Sequence, residues 1–419
     1  MSQTPSGARS TTNPAAEPTA ASGSEAASGS EAASGAGLGA SSGPAQTSAP
    51  ASSGAAAGSA TSPKGAPPAA PSAAPLRGWR ATLRLLSLGT LFLVVPAALA
   101  LLTVWLVPEG NDYALATRMK HERLAGAGAT RSKVVLVGGS NLAYGQDSAA
   151  LAAATGRYVV NMGMNGYFGV RFMLEEVKPD LRAGDLVVLA FEYDSYYKSP
   201  DGTASDLLMA VKARPENLTF LTWSQRLEVL QAVPYVAQHK LVRLVREAGR
   251  GARDWVRGYS AEDPTALFDR IESLAGFEAH GDLVSHRGVE WEDAPNPGYD
   301  LSNLEVDAGV VARMQEFARA MREVGVTVFV SYSPVAESFY GEHEGAIRRL
   351  HEVLRAAPLE VPSAPEAFVM PDAWFFDTVY HLKEERRHER ARRVLGDIEA
   401  ALGAVTAPGV VAVDASEAP

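Results

Sequence analysis

Short apolar runs alternate with amphipathic stretches from about residue 133 to residue 402. Continuous runs rich in β-branched residues predict strands at Val134–Val137, Arg157–Met162, Asp185–Phe191 and Val326–Tyr332. Apolar positions at helical spacing predict helices at Asn111–Arg131, Asp147–Ala154, Phe168–Lys178, Asp307–Val324, Glu342–Ala356 and Lys383–Leu402. The alternation predicts an α/β fold with a parallel, doubly wound sheet.

The pattern changes between the third and fourth predicted strands, which indicates an insertion at about residues 195–302. Ala204–Arg257 has helical periodicity, and Lys240, Arg243, Arg246 and Arg250 are expected on its solvated face, with an anionic partner as the alternative. Residues 259–302 are polar without a clear period, which is typical of a lid or a substrate-side excursion. On the later helix, His343 and His351 are expected to face solvent rather than to bind a metal.

An uncharged stretch, Leu85–Val107, is long enough to cross the roughly 30 Å hydrocarbon core of a membrane. Arg77, Arg80 and Arg84 precede it, whereas Glu109 and Asp112 follow it. The positive-inside rule therefore predicts a single-pass anchor at residues 77–108 of a bacterial inner membrane. It puts the N-terminus in the cytoplasm and the C-terminal domain in the periplasm or outside the cell. A cleaved signal peptide ending near residue 100 is the alternative.

Residues 1–76 consist almost entirely of Ala, Ser, Gly, Pro and Thr, and they predict a disordered tail. Residues 109–419 remain for one large domain. The chain has no cysteine, which excludes disulfides, thiolate metal sites and cysteine nucleophiles. Its net charge of −10 argues against a nucleic-acid-binding protein.

Candidate chemistry begins where the first predicted strand ends, in Gly138-Gly139-Ser140-Asn141. Glycines permit a tight turn, and ligands of open α/β sheets bind at the carboxyl ends of strands. A serine in such a strand–turn–helix gains support from backbone N–H groups, which favours a nucleophile. The alternative is a structural Gly-Gly-Ser turn.

Two further predicted strand ends carry polar groups, Asn165-Gly166 and Asp377 with His381. A hydroxyl becomes a good nucleophile when a neutral imidazole accepts its proton, and a carboxylate orients that imidazole. Ser140, His381 and Asp377 would supply these three roles. Asp377 could instead cap the following helix.

These blocks resemble those of the SGNH (GDSL-like) hydrolase superfamily over about residues 133–402. GGSN at Gly138–Asn141 looks like the first block, with Ser140 as nucleophile. NMGMNG at Asn161–Gly166 looks like the second, whose last glycine, Gly166, lends a backbone N–H to the oxyanion hole. FFDTVYHL at Phe375–Leu382 looks like the last block, with Asp377 as acid and His381 as base.

The resemblance implies a three-layer α/β/α sandwich with a flavodoxin-like parallel sheet and no metal or organic cofactor. Two departures from the family pattern are visible. The third block normally ends in Gly-x-Asn-Asp, but FEYD stands here and brings Glu192 or Tyr193 near the position of the asparagine that donates to the oxyanion. Asn165 or Asn141 is expected to replace that donor. Three residues, rather than two, separate Asp377 from His381.

Such changes look like those of divergent membrane-anchored SGNH-like proteins of bacterial envelopes, which work beside polytopic membrane-bound O-acyltransferases. The first hypothesis is therefore a serine esterase or O-acyltransferase acting on acyl groups of a cell-envelope or secreted polysaccharide. The second is a catalytically inactive SGNH-like partner of a membrane-bound O-acyltransferase, or a glycan-binding module.

Overall fold

The computed structural model describes residues 76–108, 112–128, 131–257, 270–291, 295–296 and 298–406. Nearly all of the predicted N-terminal tail lies outside these residues. The helices are α1 (Leu76–Leu106), α2 (Ala116–Gly126), α3 (Ser140–Gly145), α4 (Ser148–Thr155), α5 (Val170–Glu175), α6 (Ala204–Ala213), α7 (Trp223–Arg257), α8 (Ala308–Glu323), α9 (Glu337–Ala356) and α10 (Arg387–Thr406). The strands are β1 (Lys133–Val137), β2 (Tyr158–Asn161), β3 (Leu186–Leu189), β4 (Thr327–Val330), β5 (Val335–Ala336) and β6 (Val369–Met370).

The first four strands form one parallel sheet in the order β2-β1-β3-β4. Val134 of β1 pairs with Val159 of β2 on one side and with Leu186 of β3 on the other, so β1 lies between β2 and β3 in the sheet. Residues of β1 and β3 are buried along their full lengths, as expected of strands covered on both faces. The predicted α/β fold with a parallel sheet is confirmed.

The helices predicted from periodicity are present with shifted ends. α8 begins after Asp307, whose carboxylate accepts the N–H groups of Gly309 and Val310 as an N-cap, and its apolar stripe is buried. α4 begins after Asp147, which accepts the N–H of Ala150. The structure adds α3, a helix of six residues that starts at Ser140 itself. Ser140 is therefore the first residue of a helix and not only part of a turn.

α1 is the one helix, among the described residues, that is long and apolar enough to cross a membrane. Within Trp79–Leu106, an 18-residue window has a mean hydropathy of 2.4, and none of this window is buried against the rest of the chain. The end of α1 packs on α7, where Lys240 donates hydrogen bonds of 2.9 Å to the carbonyls of Val104 and Val107. Val104 lies in the last turn of α1 and Val107 directly follows the helix, so Lys240 satisfies carbonyls that a helix end leaves without intrahelical partners.

Two groups expected to face solvent are buried instead. Lys240 is only 5% exposed, since it lies against the end of α1, while the neighbouring arginines of α7 stay at the surface. His343 is 4% exposed, and its ring meets Phe339 edge-on. Tertiary contacts bury both side chains, and the helical periodicity of the sequence does not reveal such contacts.

The insertion contains α6, α7 and an irregular part that is attached to the sheet. Asp282 in this part is fully buried and accepts hydrogen bonds from the Ser148 hydroxyl at 2.6 Å, the Ser148 N–H at 2.7 Å and the Asn161 amide at 2.7 Å. The described portion of the polar stretch is therefore built into the domain rather than lying over it as a lid.

Asp185 ties the start of the sheet together, which makes it a test of the fold. Its carboxylate pairs with the Lys133 ammonium at 3.0 Å and accepts the N–H groups of Lys133 and Arg182 at 2.8 and 3.0 Å. Removing one partner of a buried pair leaves an uncompensated charge. We expect Asp185→Ala to lower the free energy of unfolding by about 3–5 kcal/mol, measured by urea denaturation in detergent. Asp180→Ala is the control, and an equal loss in both variants would contradict this role of the ion pair.

Candidate active site

Ser140 owes its position to the two glycines before it. A Cβ on Gly138 would lie 2.2 Å from the carbonyl oxygen of Ala190, and one on Gly139 would lie 2.2 Å from a carboxylate oxygen of Glu192. Only glycine allows the end of β3 to approach this closely. The chain then enters α3 directly, so the half-buried Ser140 lies at the carboxyl end of β1 and at a helix N-terminus.

His381 and Asp377 belong to a closed loop before α10. Phe375 forms an isolated antiparallel β-bridge with Leu382, and the N–H of Phe376 donates to the His381 carbonyl at 2.8 Å. The Thr378 hydroxyl accepts the N–H of His381 at 3.2 Å, which accommodates the additional residue between acid and base. The loop that follows leads through a 3₁₀ turn whose N-cap is Lys383, so Asp377 does not cap the next helix.

The three predicted residues are in hydrogen-bonding contact. Ser140 Oγ lies 2.9 Å from His381 Nε2, although 241 positions separate the two residues along the chain. His381 Nδ1 lies 2.8 Å from Asp377 Oδ1. The imidazole therefore bridges the hydroxyl and the carboxylate, in the order that proton transfer from a serine requires.

The electrostatic surroundings favour a charged imidazole. Burial by itself would lower the pKa of His381, but Asp377, through its charge and its hydrogen bond, and then Glu192 and Glu272 outweigh burial and raise this pKa above its usual value. Burial by itself would raise the pKa of Asp377, yet the charge and hydrogen bond of His381 hold it below its usual value. Asp377 is therefore an ionised partner that stabilises imidazolium.

His381 is surrounded by three further side chains, those of Tyr144, Glu272 and His286. The sequence pattern does not single out any of them as a site residue. The Tyr144 ring is parallel to the His381 ring, with centroids 4.1 Å apart, and its hydroxyl bonds Glu272 at 3.1 Å. His286 bonds the Leu382 carbonyl through Nε2 at 3.1 Å, and burial lowers its pKa to about 4. Only the spacing of Tyr144, four residues after Ser140 on the same helix, is a signal that sequence could provide.

Asn161 and Lys120 anchor the second block beside α3. Asn161 donates to the Leu142 carbonyl at 2.8 Å and accepts the N–H of Gly163 at 2.9 Å. The Lys120 ammonium binds the carbonyls of Asn161 and Gly163 at 2.9 and 2.7 Å. These contacts hold the loop that carries Gly166 next to the serine turn.

The two asparagines expected to donate to an oxyanion are engaged elsewhere. Asn165 donates to Asp206 at 2.9 Å and accepts the N–H of Tyr167. Asn141 is fully buried, donates to the Ala190 carbonyl at 3.1 Å and accepts from Arg390 at 2.7 Å. Both side chains thus have structural partners and are not directed to the serine in this structure.

Glu192 lies in the segment FEYD, which follows β3. Its Oε1 accepts the N–H of Asn141 at 2.8 Å and lies 3.4 Å from Ser140 Oγ. Its Oε2 would lie 3.2 Å from a Cβ on Gly166. Tyr193, the other candidate for this position, is buried in the core, where its ring stacks on that of Tyr332.

Metal ligation and similarity to other proteins give no further information about these residues. Within the described ranges, no group of three or more His, Cys, Asp or Glu residues could hold a metal ion. No protein-family model and no curated protein matches the chain.

The raised pKa of His381 has a measurable consequence. Asp377→Asn removes the adjacent charge, so we expect the pKa of His381 to fall, which NMR titration of ¹³C-labelled histidine in the detergent-solubilised chain would detect. In the wild-type chain His381 should stay protonated to higher pH than an ordinary histidine. Asp372→Asn, at a half-buried carboxylate of the same segment that bonds Ser338 rather than His381, is the control. An unchanged titration in Asp377→Asn would contradict the assignment.

Proposed function

We propose that this protein is a membrane-anchored, extracytoplasmic serine esterase or O-acyltransferase that acts on acyl groups of a cell-envelope or secreted polysaccharide. The observation that carries the proposal is the continuous chain from Ser140 Oγ through His381 to Asp377, with contacts of 2.9 and 2.8 Å. The fold proposed is the SGNH type, a three-layer sandwich with a flavodoxin-like sheet. The parallel strand order β2-β1-β3-β4 is compatible with this type.

The proposed reaction has two half-reactions. Ser140 Oγ attacks the acyl carbonyl carbon while His381 Nε2 accepts the hydroxyl proton. The tetrahedral intermediate then expels the alcohol, which takes that proton from His381, and an acyl-serine remains. Water or a sugar hydroxyl next gives its proton to His381 and attacks the acyl-serine carbonyl carbon. Ser140 Oγ then leaves with the proton from His381, and an acid or a new ester is released. The N–H groups of Ser140 and Gly166 are the proposed donors to the oxyanion.

The polysaccharide part of the proposal has support from the surface beside Gly166. Tyr167 and Tyr299 are 45% and 42% exposed, and their hydroxyls lie 2.8 Å apart. Lys198 lies over the ring of Tyr299, 3.3 Å from its centroid. Exposed aromatic rings with polar tips suit a ligand that has both apolar and hydroxyl-bearing surfaces, as a sugar does.

The anchor and its orientation belong to the same proposal. α1 would cross a bacterial inner membrane with Arg80 and Arg84, near its N-terminal end, on the cytoplasmic side, and the domain from residue 109 onward would lie in the periplasm or outside the cell. A polytopic O-acyltransferase is the proposed membrane partner that would supply or receive the acyl group.

A second function, that of a catalytically inactive partner protein, is favoured by one observation. Glu192 brings a carboxylate to within 3.4 Å of Ser140 Oγ, near the position where the family pattern has an amide donor. A negative charge there opposes an oxyanion, and loss of one donor typically costs about 10²- to 10³-fold in rate. A chain of this kind could bind glycan or dock an acyltransferase without performing chemistry.

Covalent labelling with a fluorophosphonate distinguishes the two functions. We expect the detergent-solubilised full chain to be labelled on Ser140, and Ser140→Ala to abolish the adduct detected by mass spectrometry. His381→Ala should slow labelling by about 10²-fold or more because no base accepts the hydroxyl proton. Ser224→Ala and His388→Ala, at exposed positions, are the matched controls. A folded chain that is never labelled would contradict the enzymatic function.

A further inference from the structure

Glu192 occupies the space that an ester oxygen would need, if the site acts as proposed above. Its carboxylate is bounded by Gly139, the N–H of Asn141 and Gly166. The side chain is only 5% exposed, and Oε2 has no hydrogen-bond partner among the described residues. In a tetrahedral intermediate bound to Ser140, the negatively charged acyl oxygen would therefore lie beside a fixed carboxylate, where it needs N–H donors.

We propose that Glu192 is a positioning residue that restrains the active site, because its carboxylate fills the oxyanion position and has to be displaced for an acyl ester to react. This inference rests on the proposed esterase or acyltransferase function. Two observations indicate that the Glu192 carboxylate can be displaced. Only its Oε1 is hydrogen-bonded, and Gly139 and Gly166 have no side chain that could hold it.

The geometry also explains why the serine hydroxyl has two possible acceptors. His381 Nε2 lies 2.9 Å from Ser140 Oγ and Glu192 Oε1 lies 3.4 Å from it. A hydroxyl that donates to Glu192 cannot give its proton to His381. Displacement of Glu192 would both empty the oxyanion position and commit the hydroxyl to the imidazole.

Glu192→Gln tests this proposal because the amide keeps the shape and the Oε1 acceptor but removes the charge and adds N–H donors. We expect Gln to raise the rate of Ser140 labelling by fluorophosphonate by about tenfold or more. Glu192→Ala, which empties the position without adding a donor, should give a smaller rise. Glu272→Gln is the charge-matched control, since Glu272 also raises the pKa of His381 but contacts Tyr144 rather than the serine turn.

The outcomes separate this inference from the proposed function. If the wild-type chain is labelled and Glu192→Gln is not faster, the restraint is wrong and the enzymatic function stands. An equal rise in Glu192→Gln and Glu272→Gln would also overturn it, because general charge rather than position would be the cause. If neither the wild-type chain nor any Glu192 variant is labelled, the proposed function fails as well.

A second, independent observation concerns the C-terminal half of α7. The segment Leu241–Arg257, called the basic segment below, contains no buried residue. Its apolar side chains are largely exposed, with Val245 at 71%, Trp255 at 86% and Val256 at 76%. It carries five arginines and two acidic residues, a net charge of +3 in a chain of net charge −10.

The basic segment starts at the level where α1 ends. Lys240 binds the carbonyls of Val104 and Val107, and Arg243 binds that of Pro108. If α1 spans a bilayer, its last turn lies near the headgroups, so α7 reaches the membrane surface at Lys240. Five arginines exclude a second crossing, whereas arginines beside an apolar stripe are typical of a helix that lies in the interface.

We infer that the basic segment docks on the surface of the membrane that α1 enters, with its apolar stripe among the acyl chains and its arginines near anionic phospholipid headgroups. Val245 and Glu247 are about 200° apart around the helix. Leu241, Val245 and Val256 share one side of the helix, and the acidic residues Glu247 and Asp254 lie on the other. The two sides should therefore differ in contact with lipid.

The absence of cysteine in the natural chain makes a direct test possible. Val245→Cys and Glu247→Cys, each labelled with an environment-sensitive fluorophore, would be reconstituted as the full chain in phosphatidylcholine vesicles containing phosphatidylglycerol. We expect a spin-labelled lipid to quench the label at residue 245 at least threefold more strongly than the label at residue 247. Equal, weak quenching at both positions would overturn the inference and leave a protein as the occupant. The result does not depend on any enzymatic activity.

Discussion

The close approach of β1 and β3 at their carboxyl ends is the constraint on which the candidate site depends. Gly138 leaves room for the Ala190 carbonyl, and Gly139 leaves room for the Glu192 carboxylate. Any side chain at either position would force the two strand ends apart. Because the strands meet there, Ser140 can begin α3 without an intervening loop, and its hydroxyl lies within hydrogen-bonding distance of both His381 and Glu192. The same constraint brings Glu192 to the serine, so the nucleophile and its possible restraint have one structural cause.

The sequence predicts much of this arrangement because parallel strands align their carboxyl ends. Ser140 and His381 could be paired across 241 positions from chemistry and order alone. Periodicity also predicts β1 to β4 and the long helices, since burial on one face or both leaves a regular pattern. The turn made by Thr378 is not visible in such a pattern, so sequence alone left open whether Asp377 orients His381 or caps a helix.

Residues that act through irregular segments or tertiary contacts could not be predicted. Glu272 and His286 come from a stretch with no period, and nothing local relates them to His381. Lys240 follows the periodicity of a solvated face, but the end of α1 covers it. Asn141 and Asn165 are polar residues at the right strand ends, yet buried backbone and charged groups need them as partners. A residue type indicates what a side chain can do, whereas its neighbours decide what it does.

Asp377, Glu192 and Glu272 all raise the pKa of His381, and their effects on the proposed reaction differ by position. Asp377 contacts Nδ1, on the far side of the ring from the serine, so its charge favours the imidazolium that forms during proton transfer. Glu272 acts at a distance through the electrostatic field, and it also fixes Tyr144. Glu192 stabilises the same imidazolium but lies on the serine side, where it opposes the negative charge that develops on the acyl oxygen. Its net effect is therefore set by whether it remains beside Ser140 when the ester binds.

A continuous set of contacts joins the candidate site to the apolar helix α1. α7 packs against α6, and the Asp206 carboxylate on α6 accepts the amide of Asn165, which directly precedes Gly166. The middle of α7 binds the C-terminal end of α1 through Lys240. Packed helices transmit position because they are hardly compressible. If α1 is the proposed membrane anchor, these contacts set the orientation of the Gly166 loop relative to the bilayer, and the proposed acyl donor would meet the serine from a defined direction.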